Sequence, residues 1–291
     1  MVNYESIAAL VQAAQSEKIS LSELVLRDQA EQAELPADQL FERMRDNLHV
    51  MQQAVQAGID KDLRSTSGLT GGDAYKLHQY AATGGLCGSF FTGALTRAIA
   101  VSEYNAAMGK IVAAPTAGSC GILPGAILTM MEARDLPEES AVKALFTAGA
   151  FGMVIAFRAS IAGAEGGCQA ECGSAAAMAA AALVEMAGGT PDMSAHACAI
   201  ALKNQLGLVC DPIAGLVEVP CIKRNAGGVA CALTAAELAL AGVHSVIPVD
   251  EVIDAMREVG DAMPCALRET AQGGLAATPT GIRLKQEIFG E

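Results

Sequence analysis

No tryptophan occurs among the 291 residues, and aromatic side chains make up only 4% of them. That scarcity, with alanine abundant throughout, points to closely approaching helices rather than a sheet built on aromatic and β-branched pairs. Positive charge is also short. Lys and Arg number 19 against 32 Asp and Glu, a formal net charge of −13, so the basic footprint that nucleic-acid binding needs is missing. The opening stretch, MVNYESIAALVQAAQSEK, lacks the basic start and apolar run of a secretory signal. Long apolar runs are lacking as well: residues 174–184 are too short and residues 144–161 are interrupted by Arg158, where a membrane span needs about 20 apolar residues. A soluble, cytoplasmic protein with no membrane partner is expected. With 52% hydrophobic residues and only 18% charged, the chain can bury a large core, and its 30 Gly and 10 Pro are too few for a low-complexity chain.

Helical periodicity dominates what is there. Ile7, Leu10, Val11 and Ala14 recur at helical spacing, and Leu40, Met44, Leu48, Met51 and Val55 do so after Pro36. Gly-rich stretches STSGLTGG and ATGGLCG read as loops around a short helix within residues 65–88, followed by a helix over 90–108. A second loop, APTAGSCGILPG, spans 114–125. Asp135 and Pro137 open a helical run towards Ile161, with Glu138 and Glu139 suited to its dipole. Further helices are expected over 175–186, from a Thr190 cap to Leu206, over 228–240 and over 250–263, before a Gly-rich tail. No period-2 strand pattern and no repeat stand out. The fold class expected is all-α: a compact helical domain (61–291) whose Gly-rich loops form the site, preceded by an N-terminal helical extension (1–60).

Nine cysteines is a high number for a chain without an export signal, and a reducing compartment disfavours disulfides. Cys198 and Cys231 lie on apolar helices and read as small buried hydrophobes, and Cys87 and Cys265 are given the same reading. Cys120, in GSCG, is a candidate nucleophile on an exposed loop, though no His neighbours it. Cys168, Cys172, Cys210 and Cys221 sit in Gly- or Pro-broken backbone, which can aim thiolates from several directions at an iron–sulfur cluster. Their spacing matches no ferredoxin run, zinc would equally accept four thiolates, and structural cysteines remain a reading of equal standing.

Four stretches, SGLTGG (67–72), EYNAAMGKIVAAPTAGSCGILPG (103–125), GAEGGCQAECGSAAAMAAAALVEMAGG (163–189) and GLVCDPIAGLVEVPCIKRNA (207–226), together resemble the α chain of iron–sulfur L-serine dehydratase, an L-serine ammonia-lyase. The similarity runs from about residue 60 to the C-terminus. It implies a [4Fe–4S] cluster held by three cysteines that correspond to Cys168, Cys210 and Cys221, with Cys172 a neighbour. It also implies a separate β subunit, an oligomeric enzyme and L-serine as substrate. Three protein ligands leave one iron open as a Lewis acid for the serine hydroxyl, which four would not. Some single-chain relatives end in a cysteine that can take that iron, whereas this chain ends in IFGE.

Two loops suit the substrate: SGLTGG, with Ser67, Thr70 and the Gly71 backbone as a carboxylate cradle, and APTAGSCG, with Thr116 and Ser119. Asn105 precedes the second loop. Lys110, Lys223 and His78 are the candidates for the base that removes the Cα proton. The competing functions are a pyridoxal-phosphate dehydratase, for which no lysine has a fitting context, a cysteine desulfidase with a similar cluster, and a non-catalytic metal-cluster module.

Overall fold

A computed structural model describes the chain except Met1, Asn3 and Glu291. Thirteen α-helices are formed by the described residues, with no strand among them; one isolated bridge joins Cys210 to Arg268. The N-terminal helices are α1 (Ile7–Glu17), α2 (Leu21–Gln32) and α3 (Ala37–Gly58). Then come α4 (Asp73–Ala81), α5 (Gly88–Ala106), α6 (Ile122–Ala133), α7 (Glu138–Arg158) and the single turn α8 (Gly163–Gly166). A π-helical turn, Gln169–Gly173, leads into α9 (Ser174–Met186). The remainder are α10 (Pro191–Gln205), α11 (Cys221–Leu240), α12 (Val249–Ala262) and α13 (Pro279–Phe289).

The centre of the molecule is α9. Its run from Ser174 to Val184 is wholly buried, and α6, α7, α10 and α11 pack around it. Alanine explains how so many helices fit there. It gives up no rotamer entropy on burial and lets neighbouring backbones approach closely. The crossing of α3 on α5 shows the same economy: a Cβ on Gly58 would lie 2.0 Å from the Ala100 carbonyl oxygen. Helices α1 to α3 share this core, since Ile7, Leu10, Leu24, Leu48 and Met51 belong to one buried cluster with residues of α6, α7, α9 and α12. Asp250, in the first turn of α12, caps α1 from outside by accepting the Ile7 N–H (2.8 Å) and the Ser6 hydroxyl (2.8 Å).

Helix α7 is long and apolar enough to cross a membrane by length and composition, but 67% of that window is buried, against α2, α3, α6 and α9 among others. Most expected helices form. Three boundaries differ. Residues 122–133 are helical, because Pro124 falls in the first turn of α6, where a missing N–H costs nothing. Helix α11 starts at Cys221, two turns ahead of residue 228. The Gly-rich tail contains α13, opened by the Thr278 cap and Pro279 and closed by Gly290 at φ +72°.

Candidate functional site

Irregular segments between the helices converge beside the N-terminal ends of α9 and α11. The π turn carries Cys168 just before it and Cys172 within it, the bridge to Arg268 fixes Cys210, and Cys221 is the first residue of α11. All four thiols are buried and free of disulfides. The four thiols are electrostatic neighbours. Burial, then the charges of Cys168 and Glu171, push the Cys210 thiol well above its ordinary value, and the same causes push Cys221 up to about 12. Cys168 goes the other way. A hydrogen bond from Cys172 and the nearby Arg224 guanidinium favour its thiolate against burial, while Cys172, the donor, is raised. Helix α11 adds its positive N-terminal end at Cys221.

Glu171 stands among these thiols. Its Oε1 accepts the Thr116 hydroxyl at 2.7 Å, and its Oε2 lies 3.9 Å from Cys210 Sγ. Burial raises its pKa above the usual carboxylate value. Glycines make the room: a Cβ on Gly163 would meet Glu171 Oε2 at 2.7 Å and Cys210 Sγ at 3.1 Å. Asn225, one turn into α11 and 1% exposed, closes the other side. Its Oδ1 accepts the Gly121 N–H (2.9 Å), while Nδ2 donates to the carbonyls of Gly118 (2.7 Å) and Cys221 (3.0 Å). The APTAGSCG loop is thereby tied to the turn that presents Cys221. Arg224 pairs with buried Asp211 at 2.7 Å and donates to the Val209 carbonyl at 2.7 Å, anchoring the backbone on both sides of Cys210. A cleft of about 750 Å³ opens nearby, lined by Ala170, Gln169, Arg257, Arg268 and Glu269; Glu269 donates its N–H to the Cys210 carbonyl at 2.8 Å.

The donor set fits a cluster bound through Cys168, Cys210 and Cys221. Three buried thiols arrive from three separate segments, with the Arg224 guanidinium near Cys168 and Cys221 and a helix N-terminus at Cys221. Among the described residues, no three His, Cys, Asp or Glu converge tightly enough to ligate one metal ion.

The other singled-out residues divide. Ser67 and Thr70 both donate to Glu218 Oε2, each at 2.9 Å, so the expected carboxylate cradle holds a carboxylate of the protein itself. Gly71 adopts φ +127°, with Leu63 O only 2.2 Å from where a Cβ would stand. Ser119 is fully buried and completes a capping box with Thr116, and Asn105 Nδ2 donates to the Ala117 carbonyl at 3.4 Å. Of the base candidates, His78 and Lys110 are exposed. Lys223 is exposed and ion-paired to Asp73 at 2.6 Å. None of the three hydrogen-bonds to a cysteine of the site or to Glu171. Two cysteine readings are corrected. Cys120 is fully buried with its thiol pushed up to about 12, which removes the nucleophile reading, whereas Cys87 and Cys265 are exposed, the first ahead of α5 and the second in a short turn. Glu171, Glu218, Arg224 and Asn225 were not singled out from the sequence. Their only signal is a polar residue inside each cysteine motif: QAECG, VEVP and CIKRNA.

Comparison with known proteins bears on the same segments. The sequence profile of the family described as "Serine dehydratase alpha chain" matches residues 16–276. The chain is 54% identical over 288 residues to a protein of Bacillus subtilis named "Probable L-serine dehydratase, alpha chain", covering 99% of this chain and 96% of that protein. It is 44% identical to the "L-serine dehydratase, alpha chain" of Peptoniphilus asaccharolyticus, with 94% of each covered. To "L-serine dehydratase TdcG" of Escherichia coli it is 46% identical over 182 residues, 62% of this chain and 40% of that protein.

Proposed function

From the premise that this chain belongs to the serine dehydratase alpha chain family, we propose that it catalyses the dehydration of L-serine to pyruvate and ammonia, together with a β subunit, on a [4Fe–4S] cluster held by Cys168, Cys210 and Cys221. One observation carries the cluster assignment: three buried thiols delivered by separate segments meet around Glu171 and Arg224, with Cys210 Sγ 3.9 Å from Glu171 Oε2. Cys168, beside the Arg224 guanidinium, is taken as the third ligand in preference to Cys172. When bound, the cluster supplies a Lewis-acidic iron lacking a fourth protein ligand, which lowers the cost of releasing hydroxide from Cβ.

The chain's own residues set the stage for that chemistry. Exchange of the Cys168 and Cys221 protons for metal would be favoured by the Arg224 guanidinium, and that of Cys221 also by the N-terminus of α11. Asn225 and the Arg224–Asp211 pair hold the Cys221 and Cys210 segments in register, so the ligands need not be ordered at the moment of binding. The hydroxyls and backbone of Ser67, Thr70, Gly71, Thr116, Ser119 and Asn105 make the polar surround in which the amino acid is held, Thr116 by fixing Glu171 and Ser67 and Thr70 by fixing Glu218. The cleft beside Ala170 and Glu269 is the approach route for substrate. Once water has left, aminoacrylate tautomerises and hydrolyses unaided.

The test is anaerobic reconstitution with iron and sulfide, with and without the β subunit, followed by pyruvate assay on L-serine and on L-cysteine. Pyruvate from L-serine dependent on iron and sulfide is expected. Release of pyruvate only from L-cysteine would transfer the reaction to desulfidation, and a loaded but inactive complex would leave a non-catalytic module.

A further inference from the structure

Among the buried and half-buried acids around the site, Glu218 is held differently from the rest. Asp211 is paired with Arg224. Glu171 lies near the Arg224 charge and is walled in by Gly118 and Gly163. Glu103 spends both oxygens on the N–H groups of Asp73 and Ala74 at the start of α4. Glu218 is 5% exposed and makes no ion pair among the described residues. Its only side-chain partners are two neutral hydroxyls, Ser67 and Thr70, both on Oε2. The second oxygen, Oε1, accepts no hydrogen bond from the described residues, yet it is not among the sealed, unpartnered polar atoms and so reaches accessible space.

A buried carboxylate without a counter-charge is costly, and a cation delivered to its free oxygen relieves that cost. Position narrows the cation. Glu218 lies in the segment between Cys210 and Cys221, three residues before the latter, and its partners belong to the SGLTGG loop. Two fixed donors on one oxygen orient the group and leave the other for a third donor, which a primary ammonium can supply as a charge-assisted hydrogen bond. We infer that Glu218, oriented by Ser67 and Thr70, is the receptor for the α-ammonium of the amino-acid substrate and the residue that rejects acids lacking an amino group. This rests on the proposed amino-acid substrate and adds the atom that recognises its charged nitrogen. The loop hydroxyls then act on substrate through Glu218, while the substrate carboxylate is bound elsewhere in the site.

The test uses the cluster-loaded α and β assembly and two unreactive probes, L-alanine and propionate. Both carry a carboxylate and lack a β-hydroxyl; only L-alanine has an ammonium. In Glu218→Gln, which removes the negative charge opposite the ammonium, binding of L-alanine measured by calorimetry should weaken on the order of tenfold to a hundredfold. Propionate binding should stay unchanged or tighten. Thr70→Val, which removes one orienting hydroxyl, should give a smaller loss of the same preference, and it decides the matter should Glu218→Gln fail to fold by its melting curve. Equal weakening of both probes, unchanged L-alanine binding in the variants, or no preference for L-alanine in the wild type overturns the inference. Neither probe is turned over, so this outcome is separate from the dehydratase reading, which stands on pyruvate formation from L-serine.

Discussion

Replacing Asn225 by leucine tests how the site is held together. The side chain is similar in size, so packing within α11 changes little, but three hydrogen bonds vanish at a position that is 1% exposed. The Cys221 carbonyl lies within α11 and keeps its helical partner. The Gly121 N–H and the Gly118 carbonyl have no such replacement and are stranded in buried positions. Each stranded group costs about 1–3 kcal/mol, so the variant should lose about 2–6 kcal/mol. At roughly 2 °C per kcal/mol for a chain of this size, the melting temperature should fall by roughly 4–12 °C. The same loss frees the APTAGSCG loop from the turn that presents Cys221, so iron incorporation on anaerobic reconstitution should fall as well. Calorimetry gives the first quantity and iron analysis the second. Asn225→Asp keeps the acceptor for Gly121 and loses both donors, so it should also be destabilised. A loss below about 1 kcal/mol with normal iron content would refute the claim that Asn225 joins the loop to the cysteine turn.

Further predictions follow from the same geometry. Gly163→Ala places a methyl group against Glu171 and Cys210 Sγ, and reconstituted iron per chain should drop sharply while the apo-protein melts close to wild type; unchanged iron content would mean the two side chains simply move aside. Arg224→Met leaves Asp211 buried without its partner and should cost about 3–5 kcal/mol, a loss that the additional change Asp211→Asn should partly restore; a single variant as stable as wild type would contradict the anchoring role. Alkylation of the native apo-protein at pH 8, read by mass spectrometry, should modify Cys87 and Cys265 first. Cys221, raised to about 12, should stay protonated there and react faster only as pH climbs towards that value; prompt labelling at pH 8 would show that it is not so protected.

Much of the helical plan was legible because apolar spacing repeats over several turns in α1, α3, α7 and α12. The misread stretches are those where a helix breaker sits harmlessly. Pro124 lies in a first turn, and Gly227 and Gly228 disguise the start of α11 although its backbone bonds continue through them. The cysteine motifs stood out by residue type. Their supporting cast did not, since Glu218 meets Ser67 and Thr70 across 151 and 148 residues and Asn225 meets Gly121 across 104. A glutamate in VEVP has no local feature that distinguishes it from a solvated one. The hydroxyls and glycines of SGLTGG suggest a cradle for a substrate carboxylate, whereas its hydroxyls hold Glu218, a contact that only folding creates.

Anaerobic determination of iron and acid-labile sulfide in three reconstituted chains tests directly which thiols carry the cluster. Wild type and Cys198→Ala should take up both elements in four-to-four proportion, because Cys198 is buried in α10 away from the site. Cys210→Ala should take up little of either. Equal iron and sulfide in Cys210→Ala and wild type, or equal loss in Cys198→Ala, would contradict the assignment of the site.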